Sequence, residues 1–452
     1  MSESTATAQK TPRYAWVILA VTYLACVAAP FAQFKIPPLA DYIIPGVLLG
    51  TFGIDGSVVG TYFGMLMTCL TIFGAVLAFP AAFIARKIGL KATVLISDAC
   101  LAIGGFMCAL WGCDSIVVLY ASRVIEGIGI GLVGVAGPTC VSIWFPESTR
   151  GRALGIWATW VPVGCVLSFG IMPYIAQAWG FVSVFWLTAC IATVAFILFA
   201  VFFKMPEADP STAVAEPEKM PTVRESFAFL KTPWIWLLGC VFFCFTFNTL
   251  GIVNNYYNTY LTLNGWDSAL ASNVTSLVTG CGIITAPLAG FIYDKLAKQH
   301  KKYLIMAVMF MIMVSVAFMW TSGGTGFTDA QSTGATAVMT LNSSAIFSLI
   351  MFVGLQSICG GMGGGSFRAF SPMLVAPTAV AASMAMAVLQ FMQNVGTGLG
   401  SVIYGSLIDM ADPTTWALPG NLLQIPLCVI AIVIAFCINP WGKKKGEKSE
   451  DK

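Results

Sequence analysis

The chain has 452 residues, of which 58% are apolar and 10% charged, and its mean hydropathy is +0.85. Soluble globular chains carry roughly 45–50% apolar and about 25% charged residues, so a water-soluble fold is excluded. A net charge of +3, from 23 basic and 20 acidic residues, gives no reason to expect nucleic acid as a partner.

The polar segment 1–14 carries Lys10 and Arg13, and no small-residue cleavage site follows the first apolar run. It reads as a tail before a retained first helix, not a signal peptide. Runs long enough to cross about 30 Å of hydrocarbon at about 1.5 Å per residue then fall at 15–36, 57–85, 92–112, 115–144, 154–176 and 180–203. The Pro- and acid-rich segment 204–233 reads as a linker, and its part TVRESFAFLK has the apolar spacing of a short helix lying on the membrane surface. Six more runs follow at 234–262, 269–293, 303–321, 344–371, 382–408 and 419–439, and 441–452 is a basic tail. The pattern predicts an all-α membrane protein with 12 transmembrane helices, six in 15–203 and six in 234–440.

Twenty of the 23 Lys and Arg residues lie in segments on the N-terminal side, while the opposite loops hold Asp41, Asp55, Asp114, Asp267, Asp329 and Asp409 but no Lys or Arg. The positive-inside rule therefore puts both termini in the cytoplasm of a multi-pass cell-membrane protein. Asn342, in an outer Asn-Ser-Ser, has the form of a glycosylation acceptor. The only histidine, His300, sits in a polar loop, and the 14 cysteines are dispersed without a Cys-x-x-Cys, so neither a metal nor another cofactor is expected. Cys108 and Cys113 form the one pair placed for a bridge.

The two halves repeat each other. PAAFIARKIGLKA, after the second run, aligns with LAGFIYDKLAKQHKK, after the eighth, so that Arg86 and Lys87 match Asp294 and Lys295. FPESTRGRALGIW, after the fourth, aligns with VAPTAVAASMAMAV, after the tenth. Duplicated helical bundles of this kind are common among secondary transporters.

LYASRVIEGIGIG, with Arg123, Glu126, Gly127 and Gly129, and GFIYDK, from Gly290 to Lys295, resemble the fourth-helix and loop motifs of the major facilitator superfamily. Over essentially its whole length the chain looks like a member. The resemblance implies two pseudo-symmetric six-helix bundles that rock about a central cavity lined by spans 1, 4, 7 and 10. In the first-half loop motif the usual acid is replaced by Arg86. The Gly-Pro ladder of drug antiporters is missing from the fifth span, GIWATWVPVGCVLSFGIMP. These departures lean toward the small-organic-anion porters.

An ionised group at mid-membrane costs at least about 2.5–3.5 kcal/mol on insertion scales, so the charges inside the runs need explanations. Glu126 lies one turn from Arg123 and can neutralise it; the pair reads either as a structural brace or as a proton-linked switch. Arg368, in GGMGGGSFRAFSPML, has no acid within a turn and stands beside five glycines. It suits either a clamp on a carboxylate or a side chain that snorkels to the inner headgroups. Lys35 reads as snorkelling outward or as a second anion contact, with Gln33 facing the cavity below it. Asn248, Asn254, Asn255, Tyr256 and Tyr257 in the seventh span, and Gln390, Gln393 and Asn394 in the eleventh, either face substrate or bond between helices. Asp98 reads as a partner of the inner basic loop or as a proton carrier. Arg86, Lys87, Asp294 and Lys295 form the candidate inner gate.

With Glu126 set against Arg123, the cavity is left positive. The expected cargo is a small organic anion such as a carboxylate, moved by a monomer in exchange for a counter-anion or together with a proton. Export of amphipathic drugs is the alternative within transport. A membrane enzyme would need a His-Glu-x-x-His, a Gly-x-Ser-x-Gly or an intramembrane His, none of which occurs. A sensor that has kept a transporter fold remains open, because fold does not fix function.

Overall fold

A computed structural model of the chain describes residues 12–205, 231–375, 379–410 and 417–439, and the regular structure among them is helical. Most of the expected linker, with TVRESFAFLK except Lys231, and the basic tail lie outside the described residues. Helices α1 (Arg13–Gln33), α2 (Val59–Leu77), α3 (Leu90–Trp111), α4 (Ile116–Ser142), α5 (Trp160–Trp179) and α6 (Val182–Phe202) form the first half. The second half holds α7 (Pro233–Leu263), α8 (Ser268–Tyr293), α9 (Lys301–Met319), α10 (Ser343–Phe370), α11 (Ala379–Met410) and α12 (Ala417–Cys437).

Eleven helices among the described residues are long and apolar enough to cross a membrane. The remaining one, α11, stands where the eleventh span was expected, its apolarity diluted by Gln390, Gln393, Asn394 and several glycines. The expected run 57–85 divides into α2 and a short helix Pro80–Ile88, which ends at Gly89 with φ +90°.

Apolar side chains surround these helices, so small residues, not hydrophobicity, decide which faces pack. A Cβ on Gly127 would stand 2.3 Å from the Leu70 carbonyl oxygen and one on Gly129 2.7 Å from that of Ser97, so α4 meets α2 and α3 backbone to backbone. The halves join along α2 with α11 and α5 with α8. At the first seam a Cβ on Gly405 would lie 2.3 Å from the Gly60 carbonyl oxygen.

Besides bonds within the spans such as Thr68 to the Gly398 carbonyl at 2.7 Å, polar bridges join the halves at the end opposite the short basic helix Pro80–Ile88. There Asp409 at the end of α11 accepts from the Gly60 and Thr61 amides, both at 2.7 Å, and from the Thr61 hydroxyl at 2.6 Å. These amides belong to the first turn of α2, whose N-cap, Val58, has no side-chain acceptor. A carboxylate from the other half thus fills the capping role and meets the positive end of the helix dipole. Thr262 donates to Asp41 at 2.9 Å, and the Asn258 amide donates to the Pro37 carbonyl at 3.4 Å.

Three irregularities matter for the site. The middle of α7, Phe247–Val253, is wound as a π-helix. The chain after α1 forms a 3₁₀ turn at Pro37–Leu39 and a π-helix at Ile43–Thr51 where a plain loop was expected. Helix α8 breaks at Cys281, between Gly280 and Gly282. Cys108 and Cys113 are free thiols. Asn342 caps α10 by accepting from the Ala345 amide at 2.8 Å.

Candidate functional site: a cavity between the halves and a buried charge cluster

A cavity of about 260 Å³ lies between α5 of the first half and α7, α8, α10 and α11 of the second. On α7 it runs from Phe242 to Asn254 and on α10 from Gln356 to Arg368, from the middle of the bundle toward its basic end. Arg368 is the one charged side chain among the described lining residues. It is half-buried, in the last turn of α10, and its Nη2 donates to Gln393 Oε1 at 3.1 Å. Among the described residues this neutral amide is the acceptor that Arg368 meets, which leaves the guanidinium charge uncompensated by them and most of its five N–H donors available, the state an anion clamp requires.

Five of the six glycines of α10, at 360, 361, 363, 364 and 365, stand close before Arg368 and have distinct surroundings. A Cβ on Gly361 would fall 2.6 Å from the Gly282 Cα, and one on Gly365 2.9 Å from the Ala286 carbonyl oxygen, so these two let α8 pack close. At Gly363 the obstruction is the Phe245 ring, 2.1 Å away. Gly364 has nothing within 4 Å and Gly360 only a carbonyl at 3.9 Å. Standing one and two turns from Arg368 on its own face, Gly364 and Gly360 make a bare floor beside the guanidinium.

The second constellation is a cluster of three fully buried charges. Glu126 accepts from Lys35 Nζ at 2.5 Å through Oε1 and from Arg123 Nη1 through Oε2. Arg123 also donates to the carbonyls of Leu66 at 3.3 Å, Ala32 at 3.1 Å and Gln33 at 3.1 Å. The last two belong to the C-terminal turn of α1, where carbonyls lack helical partners and the dipole favours a cation. Gly104 makes room: a Cβ there would lie 2.5 Å from Glu126 Cγ. Lys35 stands 5.4 Å from the Phe185 ring centroid. These are the two salt bridges among the described residues.

Two expectations from sequence need correction. Lys35 does not snorkel outward; its side chain has no exposure, because the second oxygen of Glu126 offers it a partner inside the bundle. Asp98 does not pair with the inner basic loop. It is buried in α3, and neither carboxylate oxygen has a hydrogen-bond partner.

Of the amide- and phenol-bearing candidates, Asn254 lines the cavity, where its Oδ1 accepts from Thr279 at 3.0 Å. Asn248 donates to the Cys244 carbonyl at 2.8 Å, and Asn255 to Ser401 Oγ at 2.6 Å. Tyr256 donates to the Ser401 carbonyl at 2.5 Å, and Tyr257 shares a bond of 2.9 Å with Ser322. The polar residues of α7 thus point in several directions around the helix, and most find protein partners. Gln33 lines a small crevice beside Arg123, and a Cβ on Gly134 would lie 3.8 Å from the Gln390 amide.

Arg86, Lys87 and Lys295 are exposed at the basic end, Lys295 over the Phe291 ring at 4.1 Å; the Asp294 side chain is outside what is described. Sequence reasoning missed Gln356, Phe242 and Phe245 as cavity residues. Gln356 carried a usable signal, since it stands one turn of α10 before Gly360, on the face of Arg368 and its glycine floor, as a polar residue in an apolar run.

The sequence model described as Major Facilitator Superfamily matches residues 15–347. The hexuronate transporter of Bacillus subtilis (strain 168) is 22% identical over 412 residues, covering 88% of this chain and 90% of its own. The oxalate:formate antiporter of Oxalobacter formigenes is 27% identical over 202 residues, 44% of this chain and 45% of its own length. The chain spans less than half the length of the first curated relatives it matches. Among solved structures, the crystal structure of a D-xylose-proton symporter matches with a TM-score of 0.69 at 16% identity, covering 95% of this chain and 99% of the other.

Proposed function

Because the chain belongs to the major facilitator superfamily, we propose that it is a secondary transporter, not an enzyme, and that it moves a small organic anion across the cell membrane by alternating access of its two halves. The observation that carries this reading is Arg368, the single charge on the described wall of the central cavity, held by a neutral amide and facing space. The names of two relatives, a hexuronate transporter and an oxalate:formate antiporter, agree with an anionic cargo.

With the basic end in the cytoplasm, the cavity opens inward, while Asp409, Asp41 and Asn258 hold the outer ends of the halves together. The substrate carboxylate takes the free N–H groups of Arg368, and Asn254 marks the deep end of the path. Rocking of the halves breaks the outer bridges and brings Arg86, Lys87, Asp294 and Lys295 into play as the inner gate.

Coupling falls to the Lys35–Glu126–Arg123 cluster, with Asp98 as a second proton-accepting group. Protonating Glu126 would release Lys35 and Arg123 from their shared anion and loosen α1 from α4. Exchange against a counter-anion would instead leave the cluster as a brace. The apolar walls, Phe242 and Phe245 among them, also suit export of an amphipathic drug. A cationic drug, however, would meet Arg368 and no acid among the described lining residues.

The test is counterflow of radiolabelled carboxylates in proteoliposomes containing the full chain or Arg368→Ala. Carboxylate uptake that disappears with Arg368 is the expected result. Uptake indifferent to Arg368, or uptake of lipophilic cations alone, would refute the reading.

A further inference from the structure

Resting on the assignment of Arg368 as the anion anchor, we propose that the cavity selects a monocarboxylate with an unsubstituted apolar body, an aromatic or branched aliphatic acid, and rejects both dianions and polyhydroxylated acids. Charge count is the first reason. Arg368 is the only charged group on the described wall, and the two fully buried cations, Lys35 and Arg123, are committed to Glu126 and to backbone carbonyls away from the cavity. One carboxylate is matched by one guanidinium, and a second would enter a low-dielectric space with no partner.

The second reason is the state of the wall's polar groups. Thr246 donates its hydroxyl proton to the Phe242 carbonyl at 3.0 Å, Thr249 to the Phe245 carbonyl at 2.8 Å, and Thr279 to Asn254 at 3.0 Å. These donors are already used. The hydroxyls of a sugar acid would leave water for a wall whose further side-chain amides, those of Gln356 and Gln393, are too few to match them all, and each unmatched group is costly.

Shape is the third. Beside Arg368, the open floor at Gly364 and Gly360 shares the cavity wall with Phe242 and Phe245, whose rings pack on each other and on Phe367, an apolar lining for a compact body whose carboxylate reaches Arg368 and the Gln393 amide. The cavity's 260 Å³ falls below the roughly 300–1,000 Å³ of drug-sized pockets, which favours a short body.

The experiment is a thermal-shift titration of the full chain in detergent with phenylacetate, glucuronate and succinate, on the native protein, Arg368→Gln and Gly364→Leu. Phenylacetate should stabilise the native protein at concentrations at least about tenfold lower than the other two acids. That stabilisation should vanish in Arg368→Gln and weaken by about tenfold or more in Gly364→Leu, whose side chain enters open space and so fills part of the cavity without disturbing the fold. Glucuronate or succinate binding as well as phenylacetate, yet lost with Arg368, overturns the selectivity while the anchor stands. Binding unchanged in Gly364→Leu also overturns it. Anion effects that persist in Arg368→Gln sink the anchor itself. If Arg368→Gln does not fold, the ratio among the three acids and the Gly364→Leu result decide.

Discussion

Glu126→Gln removes the only anion from a cluster that holds two cations, all three side chains having no exposure. Deleting one partner of a buried ion pair costs about 3–5 kcal/mol, because the remaining charge is left without compensation. Here two charges are left, and only Arg123 keeps other acceptors, the carbonyls of Leu66, Ala32 and Gln33. Lys35→Met is milder. It deletes one cation together with its desolvation and leaves the Arg123–Glu126 contact intact, so its cost is that of one charged hydrogen bond, about 1.5–3 kcal/mol. In the double variant Lys35 no longer needs the missing anion, so the pair should fall short of additivity by about 0.5–3 kcal/mol. The assay follows from the cysteines: most are buried or partly buried free thiols, so a thiol-reactive fluorogenic dye reports thermal unfolding. A Glu126→Gln protein that melts with the native one, or single losses that simply add, would refute the account of the cluster as one electrostatic unit.

Asp409→Ala removes the cap from α2, worth about 0.5–2 kcal/mol for such a group, and should raise the labelling of a cysteine placed at Thr262 by an impermeant maleimide; unchanged labelling would show that the bridge does not hold the halves. Gly361→Ala drives a Cβ into the backbone of α8 and should cost about 1–3 kcal/mol, whereas Gly364→Ala should melt as the native protein does, a contrast that fails if both behave alike. Asp98→Leu exchanges a carboxyl without partners for an apolar group in the same packed space and should raise the melting temperature, while a fall would reveal a partner that matters.

The span pattern was legible because it depends on the length of apolar runs, and each expected run has its helix, although 57–85 divides after Leu77 and the fifth helix starts six residues late. Charge was legible only in part. Arg123 with Glu126 could be read from helical spacing, but Lys35 joins them across 91 residues, and no local pattern encodes a contact that depends on how α1 lies against α4. The same limit applies to α7. Its asparagines and tyrosines all look alike in sequence, yet Asn254 lines the cavity and Asn255 bonds to Ser401, a division set by which neighbouring helix each side chain meets. Glycine was legible as a tendency to pack; which of five glycines touches α8 and which borders empty space follows only from the neighbouring helix.

Stiffness is distributed unequally between the halves. Arg123 stitches the last turn of α1 to α2 and α4 through four acceptors, and Lys35 adds a fifth tie just beyond α1. That corner of the first half therefore turns as a rigid lever. Compliance is concentrated in α7 and α10, where a π-helical stretch and a run of glycines weaken resistance to bending. These are the helices that carry Asn254 and Arg368. Under the proposed rocking of the halves, a swing would deform the cavity wall along with the ends of the bundle, so the hold on a bound anion would slacken through the elastic response of the same two helices.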